Sequence, residues 1–135
     1  MLTQLVLPMA AHVLLAASLY ALLTVARAPA IWGLGRRPDG SNPFAKFEPR
    51  ISANLSNQFE WPLLFYVACL LLHLLGASGP LPVVLAWAFV LGRVLHTGVQ
   101  VFTANVRLRG VVFTLNFLAV VGLWVLVLGL AREAA

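Results

Sequence analysis

Cysteine and charge are the two things this sequence has least of. Its single cysteine, Cys69, sits in an apolar run between Val67 and Leu72, so neither a disulfide framework nor a cysteine metal cluster can be built within the chain. The redox compartment is left open by the same fact. Charged residues are 10% of 135 positions, and from Met1 to Ala26 there is no Asp, Glu, Lys or Arg. With 61% hydrophobic residues and a mean hydropathy of +0.95, a water-soluble domain is excluded. Nine Lys+Arg against four Asp+Glu give a net charge of +5, but basic and aromatic residues do not interleave on one face, which argues against a nucleic-acid partner.

What is present is a set of long apolar runs. A bilayer core of roughly 30 Å needs about 20 apolar residues, so this length holds about four spans with short connections. The expected fold is all-α: one integral membrane domain, residues 1–135, forming a four-helix bundle with helices at 3–26, 50–76, 82–103 and 110–131. Residues 29–49 read as a long irregular loop, broken by Pro29, Gly33, Gly35, Pro38, Gly40 and Pro43. Ala26-Arg27-Ala28 resembles a cleavage site, but the uncharged start and long apolar core favour a retained first helix. Pro62 falls inside the second helix, where neighbouring helices can tolerate it.

Positive residues gather in the first and third connections: Arg27, Arg36, Arg37, Lys46 and Arg50, then Arg107 and Arg109. The second connection has none, so both basic loops are expected in the cytoplasm with the termini facing outward. No internal repeat is visible.

The few polar residues inside the spans carry the functional expectation, because buried ionisable groups in a bilayer are costly and turn toward one another. Arg50, Asn54, Asn57 and Glu60 recur at three- or four-residue steps and share a stripe, as do Arg93, His96 and Gln100. Antiparallel packing would bring Glu60 level with Arg93, which predicts an ion pair, within one chain or across a subunit boundary. Two such stripes facing each other make a polar cleft opening toward Arg107 and Arg109, where guanidinium groups could receive an anion. The plainer alternative is interhelical hydrogen bonding by the amides and snorkelling by the arginines. His12 and His73 stand alone on apolar stretches and read as structural, and no ligand-spaced group accompanies His96, so no metal site is expected. The four tryptophans read as interface or packing residues.

Asn57-Gln58-Phe59-Glu60 on helix two, and Gly92-Arg93-Val94-Leu95-His96-Thr97 on helix three with a later Arg109, resemble the MAPEG family, the membrane-associated proteins of eicosanoid and glutathione metabolism. The resemblance extends over nearly the whole chain in span number and loop pattern. It implies a homotrimer of four-helix subunits, with glutathione as co-substrate held between subunits near the cytoplasmic side and a lipophilic substrate entering from the bilayer. It also implies that Asn57, Glu60, Arg93 and His96 bind glutathione, with Arg50 as an upstream basic member and Gln100 beside them. Arg109 would be the catalytic cation that stabilises the thiolate, the nucleophilic form of a thiol.

Several positions depart from the family pattern. Gln100 stands where the eicosanoid enzymes usually have tyrosine, Ala53 and Ser56 where they often have arginine, and Asn105 in place of another basic residue. Gly110 occupies a place where one prostaglandin-forming relative has serine, so a prostaglandin-specific reaction is not supported. The sequence is most similar to the bacterial branch, which implies an inner-membrane location. The expected function is a glutathione-dependent transferase or peroxidase acting on lipophilic electrophiles, against a non-catalytic lipid-binding or scaffold protein. A small multidrug-type transporter is a third reading, disfavoured because helix one carries no carboxylate and Glu60 would be locked to Arg93.

Overall fold

The uncharged N-terminal run forms one long helix, α1 (Leu2–Trp32), in a computed structural model that describes residues 2–133. It outlasts the expected end at residue 26 because its last carbonyls find donors. Arg36 donates from Nε to the Pro29 carbonyl (2.6 Å) and from Nη2 to the Ala30 carbonyl (3.1 Å), satisfying groups that a helix C-terminus otherwise leaves open. Gly33 (φ 72°) and Gly35 (φ 75°) then turn the chain through the left-handed region. The following loop is tied down by Asn42 Nδ2 donating to the Ala26 carbonyl at 3.0 Å, and by an Arg27–Glu48 ion pair at 2.7 Å.

The single second helix expected over 50–76 is two helices, α2 (Glu48–Ser56) and α3 (Pro62–Leu74). Pro62 is the reason: it has no N–H to give the Gln58 carbonyl, and its ring disfavours continuation of the preceding turn. Between the helices the backbone tightens into three-residue hydrogen bonds, Gln58 to Leu55 and Phe59 to Ser56, each 3.0 Å. α3 ends where glycine predicts, with Gly76 at φ 70° and the Ala77 N–H reaching back to the Leu72 carbonyl at 2.9 Å.

α4 (Leu81–Phe102) and α5 (Val106–Glu133) complete the chain. α5 begins four residues before the expected residue 110, since Asn105 Oδ1 accepts the Leu108 N–H at 3.0 Å and caps a new first turn. Arg107 and Arg109 are therefore helical residues rather than part of a connection.

The described residues thus form five helices and no strand, and α1, α4 and α5 are each long and apolar enough to cross a membrane. Without a hydrophobic drive between helices inside lipid, close approach and polar bonds must hold the bundle. Phe65 stacks on Phe89 at 4.2 Å in a core that includes Ala68, Leu72, Ala86, Val120 and Leu123. Between α4 and α5, Gly92 admits the Asn116 side chain so closely that a Cβ there would lie 1.9 Å from Asn116 Oδ1. Leu14, Leu74, Leu115 and Leu128 point outward, as lipid-facing residues do.

Candidate functional site

The break at Pro62 decides which side chains face inward. Leaving helical register after Ser56 turns Gln58 into the bundle, where it is buried, and leaves Glu60 exposed. The expected Glu60–Arg93 ion pair is consequently not formed within the chain; the one ion pair among the described residues is Arg27–Glu48. Arg93, only 1% exposed, instead donates from Nε to Gln58 Oε1 at 3.1 Å and from Nη2 to the Asn57 carbonyl at 3.2 Å. Glu60 thus does not follow the stripe of Arg50, Asn54 and Asn57.

Those three residues do meet α4. Asn54 Nδ2 donates to Gln100 Oε1 at 2.9 Å and Asn57 Nδ2 donates to the same atom at 3.3 Å. Thr97 Oγ1 and Gln58 Nε2 both donate to Asn54 Oδ1, at 2.9 and 3.0 Å. Arg50 reaches the α4 C-terminus, donating from Nη1 to the carbonyls of Val101 and Thr103, each at 3.4 Å. On α4, Arg93, His96 and Gln100 are all buried, as one stripe.

Two open cavities lie over this seam. One, of about 350 Å³, is lined by Arg50, Ala53, Gln100, Asn105 and Arg109, among others. The other, of about 340 Å³, is lined by Asn57, His96, Val106, Arg109, Gly110 and Phe113. They share Val106 and Arg109, so Arg109 stands between two halves of one groove. Five expected site residues line it: Arg50, Asn57, His96, Gln100 and Arg109. Arg93 lines neither cavity, and Glu60 lies outside both. His96 Nδ1 is buried without a hydrogen-bond partner among the described residues, next to the Phe113 ring at 6.2 Å.

A profile of the MAPEG family matches residues 5–129, nearly the whole chain. The chain belongs to the MAPEG family. No curated protein and no solved structure matches it. This MAPEG chain is accordingly an integral membrane protein, of a family that includes glutathione-dependent transferases and peroxidases. Family membership stands against the transporter reading in place of the lock between Glu60 and Arg93, which is absent within the chain.

Three MAPEG residues that proved central were not among the expected site: Gln58, His12 and Tyr66. His12 hydrogen-bonds Gln58 Oε1 through Nε2 at 2.9 Å and the Tyr66 hydroxyl through Nδ1 at 2.7 Å. It is a satisfied core histidine, as its apolar surroundings suggested. Gln58 was legible only as a member of the Asn57-Gln58-Phe59-Glu60 segment, since its inward turn depends on the proline four residues later. No group of three or more His, Cys, Asp or Glu residues that could hold a metal occurs among the described residues.

Proposed function

We propose that this protein binds glutathione along the Arg109 groove and uses it, as a thiolate, against a lipophilic electrophile dissolved in the bilayer, as a transferase or peroxidase. The observation that carries the reading is the pair of cavities meeting at Arg109 in a MAPEG chain, lined by side chains from α2, α4 and α5. Glutathione supplies the nucleophilic sulfur; the protein's part is to hold it and keep it ionised. Arg109 does the second task, because a guanidinium beside a thiol favours the thiolate. Arg50 and the Gln100 amide receive a carboxylate, while Asn57 and the free His96 nitrogen hydrogen-bond the peptide portion.

In this reading α2 and α3 together make the fourth crossing, since 13 residues of α3 at 1.5 Å each are too short for a core of roughly 30 Å. The groove is open on one side, and Glu60, exposed and unpaired in the chain, faces a neighbouring copy in a homotrimer. The basic loops lie in the cytoplasm, the termini outside, and the membrane is a bacterial inner membrane. These placements rest on family membership and the distribution of arginine and lysine.

Mixing the detergent-purified protein with glutathione at neutral pH should produce the ultraviolet absorbance of a bound thiolate. Arg109→Ala should remove that absorbance while leaving the oligomer intact, and an unchanged signal would refute the role given to Arg109. A second reading, a non-catalytic lipid-binding protein, is favoured by the neutral Ala53 and Asn105 on the groove wall. Binding of glutathione without thiolate absorbance would select it.

A further inference from the structure

The hydrogen bonds under the groove have a direction, and Arg93 sets it. A guanidinium can only donate, so the atom of Gln58 that meets Arg93 Nε at 3.1 Å must be its carbonyl oxygen. The Gln58 amide nitrogen therefore faces Asn54, whose oxygen accepts at 3.0 Å. The Asn54 nitrogen in turn must donate to Gln100, whose oxygen accepts at 2.9 Å. Three amides in series are thus oriented by one cation. At the end of the series, Gln100 has its oxygen occupied by Asn54 and Asn57, and its Nε2 has no partner among the described residues. Gln100 is 8% exposed and lines the cavity that also holds Arg50 and Arg109.

We propose that Gln58 and Asn54 are positioning residues for the groove: as a neutral relay they keep Arg93 in place without cancelling its charge, and they turn the Gln100 N–H group toward the ligand. The cavity then presents donors from Gln100, Arg50 and Arg109, and selects an anionic, acceptor-only group such as a carboxylate. A carboxylate in place of Gln58 would hold Arg93 equally well, but would neutralise it. It would also require Asn54 to offer its nitrogen to residue 58, and the reversal would carry through to Gln100, aiming its oxygen at the ligand. The opposite end of the relay is fixed from α1. Because Gln58 Oε1 only accepts, His12 must carry its proton on Nε2, leaving Nδ1 to accept the Tyr66 hydroxyl.

The inference rests on the glutathione reading only for the identity of the anion. The decisive comparison is between the wild-type protein and Gln58→Glu, each titrated with glutathione and with the dimethyl ester that lacks both carboxylates. Gln58→Glu should weaken glutathione by about tenfold or more, as expected for a charge cancelled at low effective dielectric, and leave the ester nearly unchanged. Equal glutathione affinity in the two proteins would overturn the proposal. If the wild type binds no glutathione, the functional reading fails and the relay is judged by stability. Gln58→Glu should then melt no lower than wild type, because the buried Arg93 gains a counter-charge, whereas Gln58→Leu should melt lower. A Gln58→Glu protein as unstable as Gln58→Leu would overturn the relay. Should neither variant fold, nitrogen NMR of the wild-type His12 ring decides: protonation at Nε2 is expected, and protonation at Nδ1 contradicts the scheme.

Discussion

Asn54 and Asn116 are the same residue type at the same burial, 0% exposed, and the bundle uses them in opposite ways. Asn54, between α2 and α4, exchanges hydrogen bonds with Gln58, Thr97 and Gln100. Asn116, between α4 and α5, has no partner for either amide atom among the described residues and is seated instead against Gly92. The first seam is held by polar bonds, and its Arg50, Asn57 and Gln100 line the cavities together with residues of α5. The second is held by close approach of small and apolar residues, and Asn116 is accommodated there by the space a glycine leaves. The difference teaches that polarity inside this membrane protein is not by itself a mark of function. What matters is whether polar atoms reach a cavity, directly as His96 and Arg109 do or through a network as Asn54 does.

That contrast can be broken by substitution. Asn54→Leu should cost most, about 2–4 kcal/mol, since the Thr97 hydroxyl loses its acceptor and the Gln58 amide keeps only the longer bond to the residue-54 carbonyl in a buried setting; thermal unfolding in detergent measures it. Gly92→Ala should cost about 1–3 kcal/mol by overpacking against Asn116, and Gly92→Ala combined with Asn116→Ala should recover most of that loss in the same assay. Asn116→Ala alone should fall within about 1 kcal/mol of wild type, because lost packing is offset by removal of unpaired polar atoms. A large loss for Asn116→Ala, equal to that for Asn54→Leu, would erase the distinction.

Much of this was legible in the residues. Charge-free runs located the long helices, three- and four-residue spacing gathered Arg50, Asn54 and Asn57 on one side and Arg93, His96 and Gln100 on the other, and the two stripes do face each other. The absence of an ion pair between Glu60 and Arg93 within the chain was not legible, because the expectation of one assumes that Pro62 is absorbed without loss of register. A proline removes one N–H and forbids one backbone conformation before it, and that was enough to exchange Glu60 for Gln58 as the partner of Arg93. The early start of α5 was readable in principle, since Asn105 is a good capping residue, but a basic segment between apolar runs reads first as a connection. Gln100 was grouped correctly by spacing. Its orientation depends on three successive hydrogen bonds from Arg93, which spacing does not encode.

The central claim, that the groove around Arg109 is a glutathione site, is tested most directly by isothermal titration of the detergent-purified protein with glutathione. The account predicts saturable binding that is weakened at least tenfold by Arg50→Ala and again by Arg109→Ala, as expected for loss of charged donors to a carboxylate or thiolate. Absence of binding, or binding indifferent to both substitutions, would contradict it.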